Sequence, residues 1–494
     1  MSGARAIVIG AGGAGLAALH AMRQAGFDAR AFEKNGAIGG VWATTKYPSL
    51  TIHSKSFNYR FHDFPPVPSR TANATREEIL AYFADFARAK GIAGSIVRDH
   101  RIERVVRREG RAEGRCAVFA TDTRTGENTE HVCDVVVCAT GFSNAGRPHV
   151  PELRGQHASR VTVVHSSALG PELFDDIVTH RRKVVVLGAG KSAHEILSLF
   201  RDTDSVRDLT WVWAKSLWAL SYETLYSSST VPWNVLAYLY YLNVAALRRR
   251  IGFNRPMRWM QAPLRWSGFL VNPLETDSDV CMNRSAIMKR EQLAYLKTIR
   301  SVKAEVVGLG ERSVVLGNGD EVEADVLVCA TGYDRAADLP ALEIEAADGT
   351  TTPHPLARQH AFYHQMIDPA VPEVSVLAAN VLYPQQLLGY SLGAQWLARF
   401  HAGRLAEQPT RDEMMRAVRA DAARFSAWSS GAYRSGGQPY AHERNEDVLP
   451  RLFSQMGLSP SLAWSLVTNA ANEEKLAAAC EAVARELDQR GRGK

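Results

Sequence analysis

Residues 6–16 read Ala6-Ile7-Val8-Ile9-Gly10-Ala11-Gly12-Gly13-Ala14-Gly15-Leu16. A short β-rich run passes without a gap into a glycine turn. An Ala- and Leu-rich stretch follows from Leu16 to Ala25, with Gly26 placed to cap a helix. Ala29-Arg30-Ala31-Phe32 forms the next β-rich run and ends at Glu33 and Lys34. A lone GxGxxG is weak evidence. One that follows a strand, opens a helix and precedes an acid at the end of the next strand predicts a dinucleotide site. Gly10 permits the tight turn, Gly12 lets backbone approach a pyrophosphate, and Gly15 lets helix and strand pack closely. Gly13 lies in the same turn. The helix N-terminus offers free N–H donors to phosphate. Glu33 would accept hydrogen bonds from ribose hydroxyls.

The same program restarts downstream. Lys183-Val184-Val185-Val186-Leu187 leads into Gly188-Ala189-Gly190-Lys191-Ser192-Ala193, a helical stretch from His194 to Phe200, and Leu209-Thr210-Trp211-Val212-Trp213. Lys191 and Ser192 stand where they can meet phosphate. Ala214-Lys215 follows the second strand with no acid beside it. A carboxylate there would repel a 2′-phosphate, whereas Lys215 attracts one, so the expected ligand is NADPH rather than NADH. The plain alternative for Lys215 is a solvated loop charge. Each copy closes on a matching signature. The first is Val135-Val136-Val137-Cys138-Ala139-Thr140-Gly141-Phe142 and the second is Val326-Leu327-Val328-Cys329-Ala330-Thr331-Gly332-Tyr333. Both follow stretches of alternating short strands, so the chain is an internal duplication at long range. Thr75-Arg76-Glu77-Glu78 opens a further helix with a capping box.

The remaining chain sets boundaries on function. Its 494 residues suffice for two to four domains, and 46% hydrophobic with 22% charged residues is an ordinary globular balance. The net charge of +6 comes from dispersed Arg, which argues for a solvated surface rather than a nucleic-acid groove. Six cysteines contain no CxxC pair, so no zinc knuckle or dithiol redox centre is indicated. Cys138 and Cys329 read as buried reduced thiols, in keeping with a reducing cytosol. Residues 231–247 are apolar and precede Arg248-Arg249-Arg250, but Pro232, Asn234 and Asn243 interrupt them. They are also short for a span of about 20 residues, so a buried or interfacial helix is expected and no integral membrane segment. Residues 222–290, rich in Tyr, Trp and Arg, read as a helical insertion whose aromatics suit a substrate-side wall. Two dinucleotide sites without a dithiol suggest one resident redox cofactor and one diffusible hydride donor. A flavin accepts a hydride from a nicotinamide and then reacts with dioxygen.

These motifs, taken with Gly39-Gly40-Val41-Trp42 and Tyr47-Pro48-Ser49-Leu50, resemble those of the flavin-containing monooxygenases, a branch of the NADPH-dependent flavoprotein monooxygenases that includes Baeyer–Villiger enzymes. The resemblance runs over about residues 5–400. It implies FAD at the first site, NADPH at the second, and Gly40, Val41 and Trp42 along the FAD. It implies that Thr140-Gly141 and Thr331-Gly332 mark the strands joining the domains. Tyr383-Pro384-Gln385-Gln386-Leu387-Leu388-Gly389-Tyr390 resembles a late segment that feeds the helix Ser391 to His401 toward the flavin, with Gln386 beside the cofactor. Two departures bear on chemistry. Amine- and sulfide-oxidising members carry Asn in a Thr-Asn-x-x-Lys segment, where this chain has Ile52 in Thr51-Ile52-His53-Ser54-Lys55. His53 is therefore the candidate catalytic residue at the flavin, with a core-satisfied histidine as the alternative. The linker retains His165-Ser166 but has Ser159 and Val161 at the expected aromatic and glycine positions.

The expected fold is α/β with two Rossmann-like dinucleotide-binding domains. The FAD domain is discontinuous, residues 1–155 and 326–494, and the NADPH domain fills residues 156–325 with the insertion 222–290. The resemblance implies a cytoplasmic NADPH- and FAD-dependent monooxygenase. It would place one oxygen atom of O2 on nitrogen or sulfur of a small-molecule substrate, through an oxygen adduct of the reduced flavin. Baeyer–Villiger or keto-acid-decarboxylating oxygenation and an NADPH oxidase or reductase are the alternatives. No metal and no nucleic acid are expected, and a homodimer is compatible with the sequence.

Overall fold

A computed structural model describes residues 3–108, 114–141, 147–203, 208–216, 218–226, 266, 268, 270–274, 287–334, 340–354, 362–377, 385–429, 445–470 and 472–492. The chain divides into two compact units. One comprises Met1–Ala43, Lys55–Gly146 and Arg335–Lys494; the other comprises Thr44–Ser54 and Arg147–Asp334. The division falls at residues 146/147 and 334/335, against 155/156 and 325/326 from sequence, and Thr44–Ser54 joins the second unit.

The first unit is built on a parallel sheet in the order Val374–Val376, Val135–Cys138, Arg5–Ile9, Asp28–Phe32, Ile96–Val97. Its central strands are apolar on both faces, as a sheet covered on both sides requires. The helix Gly13–Gln24 buries Leu16, Leu19 and Met22 and ends at Ala25, followed by Gly26 at φ +95°. It starts three residues before Leu16, because the second half of the glycine turn is already helical. The helix Arg76–Ala89 opens with the expected capping box of Thr75 and Glu78. An antiparallel meander, His100–Arg108, Cys116–Asp122 and Asn128–Cys133, is extended by Ala341–Glu345 and Thr351–His354. The late helix runs Gln386–His401, five residues earlier than its sequence signature, since the apolar residues Leu387 and Leu388 are buried in its first turn.

The second unit repeats the plan. Its parallel sheet runs Arg300–Lys303, Leu209–Trp213, Val184–Leu187, Val326–Cys329, Thr162–His165. The helix Lys191–Leu199 follows the second glycine turn and buries Ala193, His194, Ile196 and Leu197. A three-stranded meander, Val306–Leu309, Ser313–Leu316 and Glu321–Glu323, precedes Val326–Cys329. Cys138 and Cys329 are both fully buried free thiols. Among the described residues no helix is long and apolar enough to cross a membrane, and no His, Cys, Asp and Glu cluster could hold a metal ion. Residues 231–247 lie outside the described residues.

Candidate dinucleotide sites

Each glycine turn is held by three equivalent backbone bonds. Gly10 N–H donates to Phe32 O (2.8 Å), Leu16 N–H to Gly12 O (2.9 Å) and Ala139 N–H to Ile9 O (2.9 Å). In the second unit Gly188 N–H donates to Val212 O (2.9 Å), His194 N–H to Gly190 O (3.1 Å) and Ala330 N–H to Leu187 O (2.8 Å). Gly10 and Gly188 adopt φ +100° and +120°, which side chains rarely tolerate. A Cβ on either would lie 2.8 or 2.5 Å from the carbonyl oxygen of Ala139 or Ala330. Thus the two Ala-Thr-Gly signatures, with Thr140-Gly141 and Thr331-Gly332, sit directly beside the two turns.

The middle glycines differ from this pattern. A Cβ on Gly12 would meet only the Gly40 backbone, at 3.4 Å, and one on Gly190 would meet nothing within 4 Å. Both have ordinary φ, −76° and −90°. Among the described residues nothing packs closely enough against either position to demand glycine. This space fits a pyrophosphate at each turn.

Around the first turn the structure brings together Glu33, Gly39 and Gly40. Glu33 is 4% exposed. One carboxylate oxygen accepts the Ala11 N–H at 2.8 Å, and the other accepts Asn35 N–H and its side-chain amide at 3.0 and 2.7 Å. Glu33 therefore ties the end of the second strand to the turn. Lys34 follows, half-buried. Gly39 N–H donates to Ala11 O at 3.0 Å, and a Cβ on Gly40 would come within 3.1 Å of Gly12 Cα. Val41 and Trp42 continue this loop as a short helix, Val41–Thr44, and the Trp42 indole donates to the Tyr59 hydroxyl at 2.7 Å. Gly13 abuts Leu387 and Phe83, where a Cβ would come within 2.7 Å of Leu387 Cδ1, so its smallness serves packing of the late helix. Gln386 opens that helix and its amide donates to Tyr390.

The second turn carries charge. Lys191 donates to Glu195 at 2.5 Å, one helical turn on, and Glu195 also accepts the Tyr47 hydroxyl. Burial raises the Tyr47 pKa strongly, with Glu195 adding to it, so the phenol stays protonated. Ser192 follows Lys191 at the helix start, and Ala193, fully buried, replaces the third glycine. The Trp211 indole donates to Gly188 O at 2.6 Å. Thr331 donates to His149 O, and Gly332 O faces His165 Nε2 at 2.9 Å. Lys215 is exposed, just past the strand Leu209–Trp213.

His53 belongs to the second unit, with the segment Thr44–Ser54. Lys46 N–H in that segment donates to Ser167 O at 2.9 Å. The ring feels Lys191. Burial, and secondarily the Lys191 ammonium, pull its pKa down to about 3, so the imidazole is neutral near pH 7. Ile52 is buried. In the insertion, the Tyr222 and Tyr226 rings lie 4.9 Å apart, and Trp266 is 92% exposed. Trp233, Tyr238 and Trp259 lie outside the described residues.

Sequence reasoning missed Tyr47, Glu195, Trp211 and Trp213. Glu195 at i+4 from Lys191 was a readable helix pair. Trp211 and Trp213 depend on which strand face the turn occupies, and Tyr47 on the packing of a loop against the helix Lys191–Leu199, which only the fold reveals.

A model of the flavin-binding monooxygenase-like family matches residues 3–478. A Mycobacterium tuberculosis protein described as an FAD-containing monooxygenase, MymA, is 26% identical over 326 residues, covering 61% of this chain and 63% of that protein. The match thus spans less than two thirds of that relative's length. A Baeyer-Villiger monooxygenase of Streptomyces coelicolor is 28% identical, covering 70% of this chain and 67% of the relative. An open crystal structure of cyclohexanone monooxygenase superposes with a TM-score of 0.63 at 15% identity, over 96% of this chain and 99% of that one. This last likeness concerns the fold.

Proposed function

The chain belongs to the flavin-binding monooxygenase-like family, and from that premise we propose that it is an NADPH-dependent monooxygenase that oxygenates nitrogen or sulfur in a small organic substrate. The observation that carries the two-cofactor reading is the pair of middle glycines, Gly12 and Gly190, each free of any packing need for glycine. FAD would lie on the Gly10–Gly15 turn and NADPH on the Gly188–Ala193 turn, and the flavin supplies the redox and oxygen chemistry. The protein's residues bind and orient. Glu33 holds the first turn and offers acceptors to the ribose. Lys191 and Ser192 face the second pyrophosphate.

A soft amine or sulfide needs an oxygen atom delivered with a proton on its leaving side, whereas a carbonyl needs an anionic oxygen nucleophile. Baeyer–Villiger oxygenation is the second reading, favoured by the Streptomyces coelicolor relative. Purified enzyme supplied with NADPH, O2 and an aryl methyl sulfide, a tertiary amine or a cyclic ketone separates them. A sulfoxide or N-oxide is expected. A lactone as the sole organic product would select the second reading, and hydrogen peroxide alone with all three would indicate an oxidase. The homodimer and a cytoplasmic location remain part of this proposal, tested by sedimentation and by fractionation without detergent.

A further inference from the structure

Trp213 is 4% exposed, and its indole Nε1 has no acceptor among the described residues. A buried indole N–H ordinarily finds one, so this donor calls for a reason. Its place in the fold supplies one. Ile9 pairs with Phe32 and Leu187 with Val212. The first glycine of each turn donates to Phe32 O or Val212 O. The residue after each acceptor is therefore equivalent: Glu33 in the first unit, Trp213 in the second.

The direction of the side chain follows from the pleat. Alternate residues of a strand share a face. Trp211 reaches the Gly188 carbonyl with its indole, so its face carries the glycine turn. Trp213 is on that face, one step nearer the carboxyl end of the strand, as Glu33 is when it reaches Ala11. In parallel α/β sheets ligands bind at the carboxyl ends of the strands. The surroundings are cationic. Lys303, paired with Trp213 on the neighbouring strand, holds its ammonium 5.4 Å from the Trp213 ring centre. Lys215 follows two residues later and is exposed.

The two equivalent residues have opposite hydrogen-bonding character. A carboxylate only accepts and reads ribose hydroxyls as donors. An indole N–H only donates. Phosphate oxygens at pH 7 are strong acceptors, and a carboxylate at the same place would repel them. We infer that the Trp213 indole N–H is a specificity-determining contact to the adenosine 2′-phosphate, selecting the phosphorylated dinucleotide at the second turn together with Lys215. The inference deepens the proposal that this unit takes NADPH and rests on it.

Two probes that differ only in the 2′-phosphate test it: adenosine 2′,5′-bisphosphate and adenosine 5′-monophosphate, titrated calorimetrically into FAD-loaded protein. Trp213→Phe keeps the ring and removes the donor. It should raise the Kd of the bisphosphate at least about ten-fold, the scale of a charge-assisted hydrogen bond, and leave the monophosphate within about two-fold. Equal weakening of both probes would reduce Trp213 to packing. Unchanged binding of both, in a variant that keeps its FAD and melting temperature, overturns the inference as well. If Trp213→Phe does not fold, Trp213→His keeps a ring N–H. It should retain the preference for the bisphosphate, and a lost preference counts against the contact. A wild-type protein that binds neither probe would instead bring down the assignment of NADPH to this unit.

Discussion

The first and second glycine turns share a backbone and differ in side chains. The three bonds that hold each turn match one for one between the units. So does the close approach of Gly10 to Ala139 and of Gly188 to Ala330. The third glycine does not match: Gly15 in one copy, Ala193 in the other. Nor does the residue closing the second strand, Glu33 against Trp213. Backbone hydrogen bonds dictate the turn, so duplication preserved them. Glu33 and Trp213 take no part in those three backbone bonds, so the strand-end residue could differ between the copies. The difference teaches that the glycine fingerprint fixes the turn, and that on the proposed reading the strand end selects the nucleotide.

The largest expected effect comes from the third position. A Cβ on Gly15 would lie 1.9 Å from the Gly10 carbonyl oxygen, a backbone atom that cannot step aside. Gly15→Ala must lift the helix Gly13–Gln24 off its strand, at a cost of at least about 3 kcal/mol. Little folded protein should be recovered. The mirror substitution, Ala193→Gly, only adds backbone freedom and removes a buried methyl, costing about 1–2 kcal/mol. Thermal melts of the two proteins compare them. Similar losses would mean that the two helices pack on their turns alike, against the geometry.

The middle glycines give the next effect, this time on ligands alone. Gly12→Ala places a methyl where the protein has room, at ordinary φ. The variant should fold yet purify without its flavin absorbance, from about one FAD per chain to nearly none, because the methyl takes the pyrophosphate's place. Gly190→Ala should stay yellow and lose affinity for NADPH by at least about ten-fold, by the same displacement. Each variant should spare the other cofactor. A colourless Gly190→Ala protein, or a fully loaded Gly12→Ala protein, would break the assignment of one nucleotide to each turn.

How much of this was legible in the sequence depends on range. Local features were readable: both turns, the capping box of Thr75 and Glu78, the apolar strands and the Ala-Thr-Gly signatures. Each is encoded within a few residues by spacing and propensity. Helix starts were read late, at Leu16, His194 and Ser391. Glycine at the first helical turn and polar Gln386 carry no helical signature of their own. The equivalence of Trp213 to Glu33 was hidden. The stretch between turn and strand end is 23 residues from Gly10 to Glu33 and 25 from Gly188 to Trp213, so counting along the chain misplaces it. Only the strand register resolves that. The position of residues 44–54 was also illegible, because they are flanked on both sides by chain of the first unit yet cluster with the second.

That borrowed segment carries the smallest and sharpest prediction. The sequence places His53 beside the flavin, and the structure places it in the second unit under the influence of Lys191. A neutral imidazole there can donate through one nitrogen and accept through the other, which suits holding a bound nicotinamide dinucleotide in place while oxygen chemistry proceeds. Loosening that ligand admits water and wastes reducing equivalents. His53→Ala should therefore raise hydrogen peroxide released per NADPH consumed a few-fold, with the rate of flavin reduction little changed. The pH dependence checks the burial independently. The folded pKa, about 3, lies below the ordinary 6.5. The unfolded chain thus binds the proton more readily, and His53 costs stability as the pH falls from about 6.5 toward about 3. His53→Ala should flatten that part of the melting-temperature profile. A flatter profile with unchanged coupling would identify His53 as a core histidine without a role in the reaction. A steeper leak of peroxide with the profile also flattened would support the positioning role, in a segment that sequence alone assigned to the other half of the molecule.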